Sequence, residues 1–208
     1  AGQFYTRCRH LISQVKPVNS RNWPGNAPIL LLLAAAYVAL FYLSEWLEGK
    51  RIFADEISLF FLPAAVRLLG TLLVGFWVAP ALFIAVVFLT FVGAYDVAPG
   101  YVSEVMIAGA TAVGGPAAVV LAARLMNLQL NLANLTPMRL LALSAACSLG
   151  NAAFFGWTLI LIEPKLARDT VFTPIFVGDM IGMWVSIYAL KLALEAFETL
   201  RRDGKGRR

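Results

Sequence analysis

The chain has 208 residues, of which 60% are hydrophobic and only 14% are charged. Its mean hydropathy of +0.76 exceeds that of an average soluble domain, and its nearly continuous apolar runs leave no room for a separate soluble domain. Long unbroken runs also exclude the short alternating segments of a membrane barrel. Composition therefore predicts an all-α integral membrane protein embedded in the lipid bilayer, and we do not attribute its net charge of +5 to nucleic-acid binding.

Six apolar runs in chain order predict a bundle of about six transmembrane helices. Each run approaches the roughly 20 residues that a helix needs to cross a hydrocarbon core of about 30 Å. The second and third runs follow each other directly, with a tight break expected at Ala79 and Pro80. A basic tail over residues 1–26 is expected to precede a transmembrane domain over 27–197, and a second basic tail covers 198–208. The predicted spans are 27–48, 57–77, 79–95, 101–125, 138–162 and 173–197.

Charges beside these spans predict the orientation of the bundle. Basic residues concentrate in both tails and beside the loop between spans four and five, whereas the other loops mix signs or are acidic. Because cytoplasmic segments carry the excess of Lys and Arg, both termini are predicted to be cytoplasmic. We also expect the basic tails to attract anionic lipid head groups. The residues concerned are Arg7, Arg9, Lys16, Arg21, Arg124, Arg139, Arg201, Arg202, Lys205, Arg207 and Arg208.

Span one carries small residues at helical spacing. Ala35 and Ala39 lie four residues apart, so they share one helix face and would let a neighbouring helix approach closely. We interpret this face as ordinary packing within the bundle. Docking of another protein is the alternative interpretation.

Span two contains Arg67, the one charged residue in the run from 57 to 91. An unpaired charge at that depth costs about 2.5 kcal/mol or more, so Arg67 should have a partner or a wet cavity. Counting 1.5 Å per residue from the outer ends places Arg67 about 15 Å deep and Asp179 of span six about 10 Å deep. Asn151 of span five lies at a similar depth. These three residues form the candidate intramembrane polar cluster.

Two interpretations of this cluster stay open at the level of sequence. The ion pair could serve only to fix the packing of two spans. Alternatively, the cluster could line a polar cavity that receives a ligand or an ion, since ionisable residues inside a membrane are functional candidates by default. Gly178 and Gly182 follow a GxxxG pattern beside Asp179, which predicts close helix packing at the same depth.

The chain lacks the side chains of common catalytic and cofactor sites. Its one histidine, His10, lies in the N-terminal tail, and with Cys8 it makes too small a set for a metal site. The spans hold no cluster of His, Cys or carboxylate side chains at metal-ligand spacing. We therefore predict no metal, no cofactor and no enzymatic activity.

Four short motifs resemble a known family. They are FFLPAAV at residues 60–66, GFWVAPALF at 75–83, AARLM at the end of span four and GDMIG at 178–182. This pattern resembles the membrane-associated sensor domains, of the MASE type, of bacterial signalling proteins. The resemblance implies a location in the bacterial cytoplasmic (inner) membrane and a non-catalytic sensing role. Span six is followed only by a basic tail, so we expect the bundle to signal through a partner protein in the membrane. Arg67 is an addition to the family pattern.

Two other classes of protein share these features. Six helices in a chain of this length, with a small-residue face on span one, are similar to the substrate-binding component of energy-coupling factor transporters. An accessory structural subunit of a larger membrane complex would need only helix packing and basic tails. Both alternatives also require a protein partner.

Overall fold

The computed structural model describes residues 23–48, 60–94, 100–128, 134–162 and 168–205. Within these ranges all regular structure is helical, as the composition predicts. Residues 1–22, which include Cys8, His10 and most of the basic N-terminal tail, lie outside the described residues. The helices are α1 (Trp23–Glu48), α2 (Ala64–Val74), α3 (Val78–Phe91), α4 (Tyr101–Leu125), α5 (Pro137–Ile162) and α6 (Arg168–Lys205), with a turn of 3-10 helix, Gly75–Trp77, between α2 and α3.

Five helical segments of the described chain are long and apolar enough to cross a membrane. Four of them correspond to predicted spans one, four, five and six. Predicted spans two and three fall together in a fifth segment of 28 residues, so a count of six crossings is not confirmed. The helices nevertheless have the length and composition of a multi-pass membrane protein. The segments are Ala27–Leu47, Ala64–Phe91, Tyr101–Leu125, Pro137–Ile162 and Phe172–Ala193.

The 28-residue segment is not one straight helix. A Cβ atom at Gly70 would come within 2.6 Å of Val78 Cγ2, although residues eight apart in a straight α-helix are separated by about 12 Å. The chain bends between them at Gly75, whose φ of 65° is readily adopted only by glycine. The break predicted at Ala79 and Pro80 is therefore displaced. Pro80 lies in the first turn of α3, where its missing N–H removes no intrahelical hydrogen bond.

Helix α2 is short and starts later than predicted. Its 11 residues rise about 16 Å, roughly half the thickness of a hydrocarbon core. Residues 60–63 before it are not helical, whereas the apolar run predicts helix from residue 57 onward. Pro63 accounts for the late start, because a proline ring disfavours helical backbone at the residue before it, and its own lack of an N–H is harmless at the beginning of a helix.

The non-helical entry to α2 obtains its hydrogen bonds from neighbouring helices. The Phe61 N–H donates to the Gly178 carbonyl oxygen of α6 at 3.3 Å. The Leu62 N–H donates to Ser44 Oγ of α1 at 3.1 Å. Gly178 lies well inside the apolar part of α6. Irregular backbone is tolerated at membrane depth only where protein covers it and satisfies it, and both conditions hold here.

Gly182 allows α6 to touch this entry segment. A Cβ atom at Gly182 would overlap the Phe61 carbonyl group and lie 2.9 Å from Leu62 N. The pattern around Gly178 and Gly182 therefore brings α6 against the backbone that precedes α2. It does not bring two regular helices together at this point.

Helices α4 and α5 also pack through glycine. A Cβ atom at Gly114 would lie 2.8 Å from the Gly150 carbonyl oxygen, and one at Gly115 would lie 3.2 Å from Cys147 Sγ. These small residues let the two backbones approach, which brings the buried face of α5 close to α2 and α6.

We expect Gly182→Ala to lower the free energy of unfolding by about 1–3 kcal/mol, because the added methyl group would meet backbone that cannot easily move. Gly156→Ala is the matched control, since Gly156 is buried in α5 but a Cβ atom there would meet nothing within 4 Å. Thermal unfolding of both variants in one detergent measures the difference. Equal unfolding temperatures would contradict the close contact at Gly182.

Candidate functional site

A buried ion pair joins α2 to α6. Arg67 Nη1 donates to Asp179 Oδ2 at 2.8 Å, and Arg67 Nη2 donates to Asp179 Oδ1 at 3.2 Å. The two side chains are 1% and 3% exposed. This bidentate geometry is typical of a planar guanidinium that faces a carboxylate. Each buried charge is neutralised by the other.

Asn151 of α5 completes the predicted cluster. Its Nδ2 donates to Asp179 Oδ2 at 2.8 Å. A carboxylate only accepts hydrogen bonds, so the amide must turn its NH₂ group toward Asp179 and its Oδ1 elsewhere. The structure thus brings Arg67, Asp179 and Asn151, from three helices, around a single carboxylate.

Three further residues enclose the guanidinium. Phe61, in the non-helical entry to α2, places its ring 5.1 Å from Arg67 Cζ in a cation–π arrangement. A Cβ atom at Gly115 would lie 3.5 Å from Arg67 Cδ, so this glycine makes room for the arginine stem. The Tyr37 hydroxyl of α1 lies near Arg67 and Asp179, although it makes no hydrogen bond of good geometry with either of them. None of the three is predicted from the sequence, although a hydroxyl in the middle of span one is a detectable signal for Tyr37.

Five buried polar side-chain atoms, among them Arg67 Nε and Asn151 Oδ1 of the cluster itself, form no hydrogen bond of good geometry in the part of the chain that the structure describes. Each belongs to a side chain that is at most 3% exposed. Leaving a buried donor or acceptor unsatisfied costs about 1–3 kcal/mol. A pair whose only task is packing is not expected to retain so many. The atoms are Tyr37 Oη, Arg67 Nε, Thr111 Oγ1, Ser148 Oγ and Asn151 Oδ1.

Helix periodicity relates two of these atoms to the ion pair. Ser148 precedes Asn151 by three residues and so shares its face of α5. Thr111 precedes Gly115 by four residues and so shares the face of α4 that adjoins Arg67. The unsatisfied atoms therefore come from α1, α2, α4 and α5, on the faces that surround the carboxylate of α6.

The small residues predicted to pack span one against the bundle do not face its interior. Ala35 and Ala39 are both exposed on α1, so within the described chain they do not mediate packing of the bundle. Helix α1 instead buries the opposite face, through Leu30, Ala34, Tyr37 and Phe41. Gly178 and Gly182, by contrast, are both buried against the entry to α2.

Comparison of the chain with protein-family models, with curated proteins and with solved structures finds no match. Within the described ranges, no group of three or more His, Cys, Asp or Glu side chains is arranged to hold a metal ion. The interpretation of the site therefore depends on its own geometry.

We expect Arg67→Ala and Asp179→Ala each to lower the free energy of unfolding by about 3–5 kcal/mol, since each leaves a buried charge without its partner. The double variant should lose less than the sum, because neither charge remains. A double-mutant cycle measured by equilibrium unfolding in detergent gives the coupling.

The matched control for this cycle is the exposed pair Lys191 and Glu195, whose charged atoms lie 3.8 Å apart on α6. Its coupling should not exceed about 0.5 kcal/mol, as for other exposed helix pairs. Additive losses at Arg67 and Asp179 would contradict the pairing.

Removal of an unsatisfied hydroxyl group should not destabilise the bundle. We expect Ser148→Ala to leave the unfolding temperature unchanged or to raise it, because the Ser148 hydroxyl has no hydrogen-bond partner among the described residues. Ser44→Ala is the contrasting variant. It would remove the hydrogen bond from the buried Leu62 N–H to Ser44 Oγ and leave that N–H only its bond to the Phe60 carbonyl oxygen, at a cost of about 0.5–1.5 kcal/mol. Equal destabilisation by both substitutions would show that Ser148 is hydrogen-bonded.

Proposed function

We propose that this protein is a non-catalytic ligand-binding bundle, which senses a small polar ligand at the Arg67–Asp179 pair and signals through a partner protein. The set of five unsatisfied buried atoms around the pair carries the proposal. Such atoms cost stability unless a bound group satisfies them, so a ligand that offers hydrogen bonds would offset that cost.

Helix α6 supplies a physical route from the site to a partner. It runs without interruption from Arg168 to Lys205, while its apolar part ends at Ala193. The remaining 12 residues, 194–205, extend the helix by about 18 Å. Asp179 lies on the same helix, so a ligand that shifts this carboxylate would also shift the extension.

The orientation of the chain in the membrane and the identity of that membrane are part of the same proposal. The basic residues near its ends favour cytoplasmic termini and contact with anionic lipid head groups. The resemblance to MASE-type sensor domains supports a bacterial inner membrane and a signalling partner. Because Arg67 is an addition to that family's pattern, we propose that the ligand site is particular to this chain.

A second candidate is the substrate-binding subunit of a small-molecule transporter. The exposed Ala35 and Ala39 favour it, since a small-residue face on α1 would suit close docking of a partner helix. An accessory structural subunit is the third possibility, in which the buried pair would serve packing alone.

Photo-crosslinking in native membranes separates these functions. A crosslinking residue at Ala196, exposed just beyond the apolar part of α6, should capture a histidine kinase or a cyclic-dinucleotide enzyme if the bundle is a sensor. The same residue at Leu121, exposed on α4, is the control and should capture neither enzyme.

The other outcomes of this experiment are equally specific. Capture of a transport ATPase or its membrane subunit through Ala35 would support the transporter subunit. Capture of an oxidoreductase or photosynthetic assembly would support the accessory role. Failure to recover a signalling enzyme from Ala196 would contradict the sensor proposal.

A further inference from the structure

Charge at the site is balanced before any ligand binds. Arg67 and Asp179 are the only buried charged side chains in the described part of the bundle, and each neutralises the other. A ligand with a net charge would bury an unpaired charge at the site, and burial of a charge without a partner of opposite sign is strongly unfavourable. The balance therefore favours a ligand with no net charge.

The unsatisfied atoms also specify hydrogen-bonding chemistry. Arg67 Nε can only donate a hydrogen bond, so it needs an acceptor. Asn151 Oδ1 can only accept, and its orientation is set by the bond from Nδ2 to Asp179. The three hydroxyl groups can donate or accept. A ligand that contains both a hydrogen-bond acceptor and a hydrogen-bond donor would satisfy these atoms.

We infer that the site takes a small, uncharged molecule with both a hydrogen-bond acceptor and a donor, the chemistry of a carboxamide or a urea. The inference rests on the proposed ligand-binding function and narrows it. Small size follows from the enclosure of the site, because the side chains that carry the unsatisfied atoms are almost fully buried.

Three planar probes of the same shape test the charge requirement. Acetamide is neutral, acetate is an anion and acetamidinium is a cation at neutral pH. The reporter is the ¹⁵N resonance of Arg67 Nε in the full chain, labelled with [¹⁵N]arginine in lipid nanodiscs and assigned by its absence in Arg67→Lys. We expect acetamide to shift this resonance saturably and the two ionic probes to leave it unchanged.

Tyr37→Phe tests whether the unsatisfied hydroxyl takes part in binding. The substitution removes one buried oxygen that makes no hydrogen bond of good geometry among the described residues, and it retains the edge-on ring contact with Phe61, so the fold should persist. Acetamide should bind about fivefold more weakly, which corresponds to the loss of one hydrogen bond. Tyr42→Phe, on the exposed face of α1, is the matched control and should leave binding unchanged.

Each contrary result has a distinct meaning. A shift caused by acetate or acetamidinium but not by acetamide would overturn the neutral ligand class and leave the ligand site in place. No shift with any probe would overturn both the class and the ligand site, since the unsatisfied atoms would then hold solvent only. Unchanged acetamide binding by Tyr37→Phe would overturn the hydrogen-bonding pattern inferred for the site.

Discussion

The charge on Arg67 is the constraint on which the interior of this bundle depends. Two charges can be buried together only if their geometry is good and their remaining hydrogen-bonding groups are satisfied. The geometry is good because Asp179 accepts a bidentate contact from Arg67, and Asn151 donates a third hydrogen bond to the same carboxylate. Helices α2, α5 and α6 are thereby fixed relative to one another by a few polar atoms in an otherwise apolar interior.

The entry to α2 shows how the backbone adapts to this pair. Residues 60–63 stay non-helical beside the apolar part of α6, and Ser44 and Gly178 accept hydrogen bonds from the N–H groups of Leu62 and Phe61. The same irregular segment places Phe61 over the guanidinium. Interrupted helices at membrane depth recur where transporters bind ligands, because the interruption opens polar backbone and side chains to a site.

The pair is only partly satisfied, and for this reason we propose that it is a ligand site and not only a packing device. A structural role would be served as well by apolar side chains of similar volume, which often stabilise a bundle equally or better. The unsatisfied atoms lie on four helices, and in our proposal a bound ligand supplies their missing hydrogen bonds. Under this proposal, the continuous course of α6 from Asp179 to beyond the apolar region would transmit the binding of a ligand to the end of the helix.

Composition and span length were enough to predict a helical membrane protein, because hydrophobicity along the chain reports directly on burial in lipid. Depth counting along the spans also indicated Arg67, Asp179 and Asn151 as candidates for one cluster, since residues at equal depth can meet. Depth says nothing about helix rotation, however. The tertiary structure alone decided that Ala35 and Ala39 are exposed, that Tyr37 turns toward the ion pair, and that the chain bends at Gly75, because these features depend on contacts between helices.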